Sequence, residues 1–137
     1  MGVRPLTGGC LCGAVRYEVS ATLRDVVACH CSQCRRTSGH HVAATAAPRD
    51  AVTLTGDVTW YHSSETARRG FCPVCGSNLF WDGPGPALMI FAGTLDRTEG
   101  LRMASHLWCA DKGGYYRIDD GLPQYDDDGP MSEATGG

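Results

Sequence analysis

Seven of the eight cysteines in the chain fall into three tight clusters, Cys10-Leu11-Cys12, Cys29-His30-Cys31-Ser32-Gln33-Cys34 and Cys72-Pro73-Val74-Cys75. A Cys-x-Cys or Cys-x-x-Cys turn can aim two sulfurs at one point, each about 2.3 Å from a tetrahedral Zn²⁺. The clusters therefore describe a zinc-binding framework, and such a framework decides which turns of the chain must meet. Four plus three ligands suit one closed site and one open site, and the open site is where function is to be sought.

At 137 residues the chain is long enough for one domain with a modest core, helped by metal staples. Apolar residues make up 42 % and charged residues 20 %, an ordinary globular balance. There is no apolar run of about 18 residues, so no membrane-spanning helix is expected. The start of the chain, Met1-Gly2-Val3-Arg4-Pro5, lacks the apolar core of a signal peptide. Eight cysteines in such a chain point to a reducing, cytoplasmic compartment, where clustered thiols bind metal instead of pairing. A disulfide scaffold is the competing reading, and the ligand spacings weigh against it. The formal net charge is −3, and two Zn²⁺ on seven thiolates would carry it to about −6. So acidic a chain is a poor general binder of nucleic acid, whose affinity comes mainly from neutralising phosphates.

The rest of the sequence reads as short strands between turns. Strands are predicted over residues 14–19, 26–28, 41–46, 51–54, 58–62, 78–81, 88–93 and 103–108, with Gly8-Gly9, Thr55-Gly56-Asp57, Gly83-Pro84-Gly85-Pro86 and Asp119-Asp120-Gly121 as punctuation. A short helical turn is predicted over residues 32–37, with Ser32 as its N-cap. Many short strands, 18 glycines and little helical periodicity make this a mainly β domain, expected over residues 1–125. Residues 126–137 are acidic and lack a core face, which predicts a disordered tail.

Cys29, Cys31 and Cys34 are close enough in sequence for one cation to collect all three. The simplest division gives Cys10, Cys12, Cys72 and Cys75 to a closed site and leaves the trio open, although spacing alone does not prove the pairing. Joining Cys12 to Cys72 through metal would close a long loop.

Several segments together resemble the glutathione-dependent formaldehyde-activating enzyme family. They are Gly9-Cys10-Leu11-Cys12-Gly13-Ala14-Val15-Arg16-Tyr17, Cys29-His30-Cys31-Ser32-Gln33-Cys34-Arg35, Arg69-Gly70-Phe71-Cys72-Pro73-Val74-Cys75-Gly76, Ser105-His106-Leu107-Trp108 and Asp120-Gly121-Leu122-Pro123-Gln124-Tyr125. The resemblance spans residues 8–125. It implies a β-tent fold of short antiparallel strands, a structural zinc on Cys10, Cys12, Cys72 and Cys75, and a second zinc on Cys29, Cys31 and Cys34. It also implies formation of S-(hydroxymethyl)glutathione from formaldehyde and glutathione, a carbon–sulfur lyase reaction in the reverse sense. The family includes centromere protein V as well, so the fold is not tied to one role.

Three thiolates on Zn²⁺ leave a net charge of about −1 and donate strongly, which disfavours a potent zinc-hydroxide hydrolase. A substrate thiol is the natural fourth ligand, because coordination favours its nucleophilic thiolate. The expected partners are thus a glutathione-like thiol and an aldehyde, with Cys29, Cys31 and Cys34 as the catalytic centre. Arg69, next to the third cluster, is the leading contact for a glutathione carboxylate. Arg35, Arg36 and Arg68 are weaker candidates for that contact.

Cys109 is expected to pack as a small apolar residue; as a fourth ligand it would close the open site. His30 should point away from the metal, one of His40 and His41 could enter the cavity as acid or base, His62 should be exposed, and His106 sits in a matched segment. Competing readings are a non-catalytic zinc module that binds a protein or small thiol, and a thiol-redox or metal sensor. Edge strands of a small β domain can pair between copies, so a homodimer is compatible with the sequence.

Overall fold

In chain order the strands and helix are β1 (Leu6–Gly9), β2 (Arg16–Val19), β3 (Val26–Cys29), α1 (Ser32–Ser38), β4 (Val42–Pro48), β5 (Val52–Thr55), β6 (Thr59–His62), β7 (Arg68–Phe71), β8 (Asn78–Asp82), β9 (Ala87–Phe91) and β10 (Met103–Leu107). They belong to a computed structural model that describes residues 5–130. A small sheet has the order β1-β2-β5, and a larger one runs β10-β3-β4-β9-β8-β7-β6. Neighbouring strands are antiparallel except β3 and β10, which are parallel. The mainly β, antiparallel β-tent class expected from the sequence is the architecture the chain adopts. Among the described residues no helix is long and apolar enough to cross a membrane.

Two strands escape the sequence pattern. β1 contains Gly8-Gly9, read above as punctuation, yet Gly8 pairs with Tyr17 of β2. A Cβ at Gly8 would lie 2.3 Å from the Tyr17 hydroxyl, so glycine clears the space in which that phenol reaches Thr94 Oγ1 at 2.7 Å. β7 is Arg68-Arg69-Gly70-Phe71, a run without β-branched residues, and it is held between β6 and β8. The helix also starts differently. Its N-cap is Cys31, not Ser32: the Cys34 N–H donates to Cys31 Sγ at 3.3 Å, so a candidate metal ligand does the capping. The helix closes at Gly39, at φ 82°, whose N–H donates to the Arg35 carbonyl at 2.8 Å.

The core lies between the sheets. Val15, Tyr17 and Val19 from the small-sheet side meet Leu79, Phe80 and Ile90 of the large one, all fully buried. Tyr17 and Phe80 make an edge-to-face contact at 5.4 Å. Side chains of this size contribute about 1.5–3 kcal/mol each when removed from water. Successive residues of a strand point to opposite faces, except at Leu79, where the β7–β8 register shifts and Leu79 joins Phe80 in the core. Phe80 and its partner Ile90 thus face this core, while the next pair, Trp81 and Met89, faces the other way. That second face is also apolar, and it carries the site.

The tail expected over residues 126–137 lies partly outside the described residues, which end at 130. In the described part, the Asp127 carbonyl accepts from the Trp108 N–H at 3.0 Å, and Asp128 Oδ1 accepts from Trp108 Nε1 at 2.5 Å. Trp108 has φ 56°, a conformation unusual for a bulky residue, and these contacts clasp it on both its backbone and its ring.

Candidate metal centre

Four sulfurs meet where two turns of different sheets converge. Cys10 and Cys12 follow β1, Cys72 and Cys75 follow β7, and their sulfurs all lie within 4.8 Å of one another. Cys10 and Cys12 are 3.6 Å apart and Cys12 and Cys72 are 3.8 Å apart, sulfur to sulfur. A disulfide would need about 2.05 Å. The edge of a tetrahedron with 2.3 Å bonds is about 3.8 Å, so the donor set fits a four-coordinate metal such as zinc. All eight cysteines are free. Backbone N–H groups of Val15 and Cys75 donate to Cys10 and Cys72 at 3.2 and 3.5 Å, spreading thiolate charge. The Ser77 hydroxyl holds Cys75 down at about 5, the largest effect on that thiol, and accepts from the Leu11 N–H at 3.0 Å.

The second cluster is local. Cys29 ends β3 and Cys31 and Cys34 begin α1, and their three sulfurs also lie within 4.8 Å of one another. Their protonation is mutually opposed. Cys31 is pulled down to about 2, first by Cys29 and then by Cys34. The same contacts push Cys29 far up, with Cys31 the larger cause. One thiolate here forbids the next, and a bound cation is what would let all three ionise together. Cys109 is not part of the group: it starts a turn after Trp108, half-buried, with its N–H donating to the Tyr125 carbonyl at 2.9 Å.

A cavity of about 480 Å³ opens beside the trio, and Cys29, Cys31 and Cys34 line it. Its walls are the second face of the large sheet: Val42 and Ala44 of β4, Trp81 of β8, Met89 and Phe91 of β9, with Leu107 and Trp108 beyond. Asp128, inside the segment read as a tail, lines it too. Arg69 reaches the same space because it pairs with Trp81 across β7 and β8. It is only 6 % exposed, and its Nη2 donates to Cys34 Sγ at 3.6 Å and to Gln33 Oε1 at 3.4 Å. Its Nε and Nη1 are buried with no hydrogen-bond partner among the described residues. A buried cation with unpartnered donors is costly, by about 1–3 kcal/mol or more, unless an anion completes it.

Arg24 also lines the cavity and was not anticipated; nothing in its local sequence distinguishes it from a surface arginine. Arg35, Arg36 and Arg68 are not among the lining residues. Arg68 stacks over Trp60 at 4.0 Å and pairs with Asp82 at 2.9 Å instead.

Four of the five histidines, His30, His40, His41 and His106, gather away from the cavity, and none of the five lines it. His30, between two candidate ligands, is 1 % exposed and hydrogen-bonds Tyr116 through Nδ1 and His106 Nδ1 through Nε2, the latter at 2.9 Å. His106 Nε2 meets Asp120 Oδ2 at 2.7 Å. An ionised carboxylate only accepts, so with one proton per ring the chain runs in one direction, Tyr116 to His30 to His106 to Asp120. Burial first, then His41, lowers the His30 pKa to about 4, in keeping with a neutral ring. His41 stacks on His30 at 4.6 Å, and His40 hydrogen-bonds Tyr115, so neither enters the cavity as an acid or base. His62 is exposed on β6.

A family model described as glutathione-dependent formaldehyde-activating enzyme matches residues 5–111, most of the chain. An uncharacterized lyase of Schizosaccharomyces pombe is 32 % identical over 75 residues, 54 % of this chain. The match spans 55 % of that relative's length.

Proposed function

Because the chain belongs to the glutathione-dependent formaldehyde-activating enzyme family, we propose that it is a carbon–sulfur lyase-type enzyme of the S-(hydroxymethyl)glutathione synthase kind. In this reading it joins a glutathione-like thiol to an aldehyde and cleaves the adduct in the reverse direction. The observation that carries the proposal is a three-sulfur cluster that opens onto a cavity beside an incompletely partnered arginine. A module that only recognised a protein surface would have no need of that cavity.

Cys29, Cys31 and Cys34 would hold one zinc ion, and Cys10, Cys12, Cys72 and Cys75 a second, structural one. Zinc at the trio supplies Lewis acidity that favours the thiolate form of a substrate thiol. Arg69 offsets the charge of the trio through its contact with Cys34 and brings its guanidinium charge to the cavity wall, where a substrate carboxylate would meet it. The apolar walls exclude water from the reacting atoms. In the forward direction a sulfur lone pair forms the C–S bond, the carbonyl π pair moves to oxygen, and that oxygen takes a proton. Cleavage returns the C–S pair to sulfur as the hydroxyl loses its proton. A cytoplasmic setting, which keeps eight thiols reduced, suits this chemistry.

Thiols and aldehydes combine without help, so the test is the initial rate of adduct formation from formaldehyde and glutathione above the uncatalysed rate. Zinc-loaded protein should accelerate it and Cys31→Ala should not. Equal rates with and without protein, for formaldehyde and for larger aldehydes alike, would defeat the proposal.

A further inference from the structure

The cavity is far larger than formaldehyde requires. A water molecule occupies about 30 Å³ of liquid, whereas the space beside the trio is about 480 Å³. Its walls are aromatic and aliphatic: Trp81, Phe91, Met89, Val42 and Leu107 surround the approach to Cys29 and Cys34. They are supplied in register by neighbouring strands, Trp81 opposite Met89 and Phe91 opposite Ala44. Placing the polar tripeptide of glutathione against these walls would strip water from its amides without giving them partners. Polar side chains collect elsewhere around the space, at Arg69 and Gln33 near the helix start and at Arg24 and Asp128. The thiol component's charged groups therefore belong at those positions, and what fills the walled space is the substituent on its sulfur.

Resting on the lyase reading above, the geometry points to an adduct whose aldehyde-derived part is large and apolar, an aryl group above all, in place of a hydroxymethyl group. Trp81 and Phe91 give an aromatic ring the offset or edge contacts that aromatic side chains favour. The reaction is unchanged in kind. The C–S bond of the aryl hemithioacetal breaks with its electron pair going to sulfur, the hydroxyl proton leaves, and an aromatic aldehyde is released. Trp81 and Phe91 are thus specificity-determining residues for the carbonyl partner.

The test is a binding comparison on the zinc-loaded full chain, by calorimetry and by tryptophan fluorescence, using S-benzylglutathione and S-methylglutathione as stable thioether probes. Burying a phenyl ring in this cavity should make the benzyl probe bind about tenfold tighter or more. Ala44→Phe, which fills the space opposite Phe91, should erase the difference while zinc content and circular dichroism stay as in the wild type. Equal affinity of the two probes for the wild type overturns the inference, even if the variant misfolds. A preference that survives in a folded Ala44→Phe protein also overturns it. Rates with benzaldehyde and with formaldehyde, each with glutathione and background subtracted, separate this proposal from the one it rests on. Acceleration of formaldehyde alone keeps the lyase and sinks the aryl substrate. Preferential benzyl binding without turnover of either aldehyde keeps the cavity's preference and sinks the lyase.

Discussion

Arg69 and Tyr17 are both buried polar side chains, and they differ in whether the fold completes them. Tyr17 is 1 % exposed and its hydroxyl meets Thr94, whereas Arg69 keeps two buried nitrogens without partners. An incomplete group of this kind serves binding better than stability. Arg69→Gln should change the melting temperature of the zinc-loaded protein little, because removing unpartnered donors offsets the loss of its contacts with Cys34 and Gln33. It should raise the KM for a carboxylate-bearing thiol about tenfold or more, the worth of a charge-assisted hydrogen bond. A lower melting temperature at unchanged KM would make the arginine structural. Tyr17 predicts a pH effect. Burial, only partly opposed by Thr94, raises its pKa to about 12, against about 10 in an unfolded chain. The folded state keeps the proton that the unfolded state releases, so this contribution is full below pH ~10 and fades as pH rises towards 12. Urea unfolding of wild type and Tyr17→Phe should diverge across that window, with the wild type losing more.

At the level of elements, one carboxylate ties three pieces of the large sheet together. Asp82 ends β8, accepts from Arg68 of β7 at 2.9 Å and from Arg49 Nε, just after β4, at 2.8 Å. Burial pushes the Asp82 pKa up, but the two guanidinium groups outweigh it and hold the group below its usual value. Asp82→Asn should cost about 2 kcal/mol at pH 7, measured by urea unfolding. The cost should shrink as pH falls below the usual carboxylate range, where the wild-type group also loses its charge. These cross-element ties explain what could be read in advance. β3, β6, β8 and β9 are legible because Val, Ile, Leu, Phe, Trp or Tyr sit side by side in short runs between turns. β7 is not, since the acceptor that makes Arg68 tolerable in a strand sits on Asp82 of β8. β1 is not, since the reason for Gly8 is the ring of Tyr17 on another strand. The cysteine trio is legible because its geometry lies within one turn and one helix start. The cavity is not, because Phe80 and Trp81, or Ile90 and Met89, look alike to a pattern in which both faces of the sheet are apolar. Only the packing of the small sheet decides which face becomes core.

For the molecule as a whole, the two sulfur clusters hold different things together. The four-sulfur cluster joins the turn after β1 in the small sheet to the turn after β7 in the large one, although Cys12 and Cys72 are 60 positions apart in sequence. Cys10 and Cys72 belong to the main core, and Cys72 is 0 % exposed. A metal there would crosslink the two layers, and its binding free energy would be folding free energy. The trio instead sits at one end of β3 and the start of α1, on the cavity side of the large sheet, where a metal would constrain only that local segment. Cys72→Ala should therefore lose the four-sulfur metal and the cooperative unfolding transition together. Cys31→Ala should lose metal binding at the trio and the proposed activity, keep its near-ultraviolet circular dichroism, and unfold within about 1–2 kcal/mol of the wild type, the size of a lost cap. Elemental analysis and urea unfolding on both variants decide it. If both unfold equally, the trio is as structural as the other cluster. If Cys72→Ala folds normally, the sheets are held by the Tyr17 and Phe80 core alone, and the metal between them is dispensable.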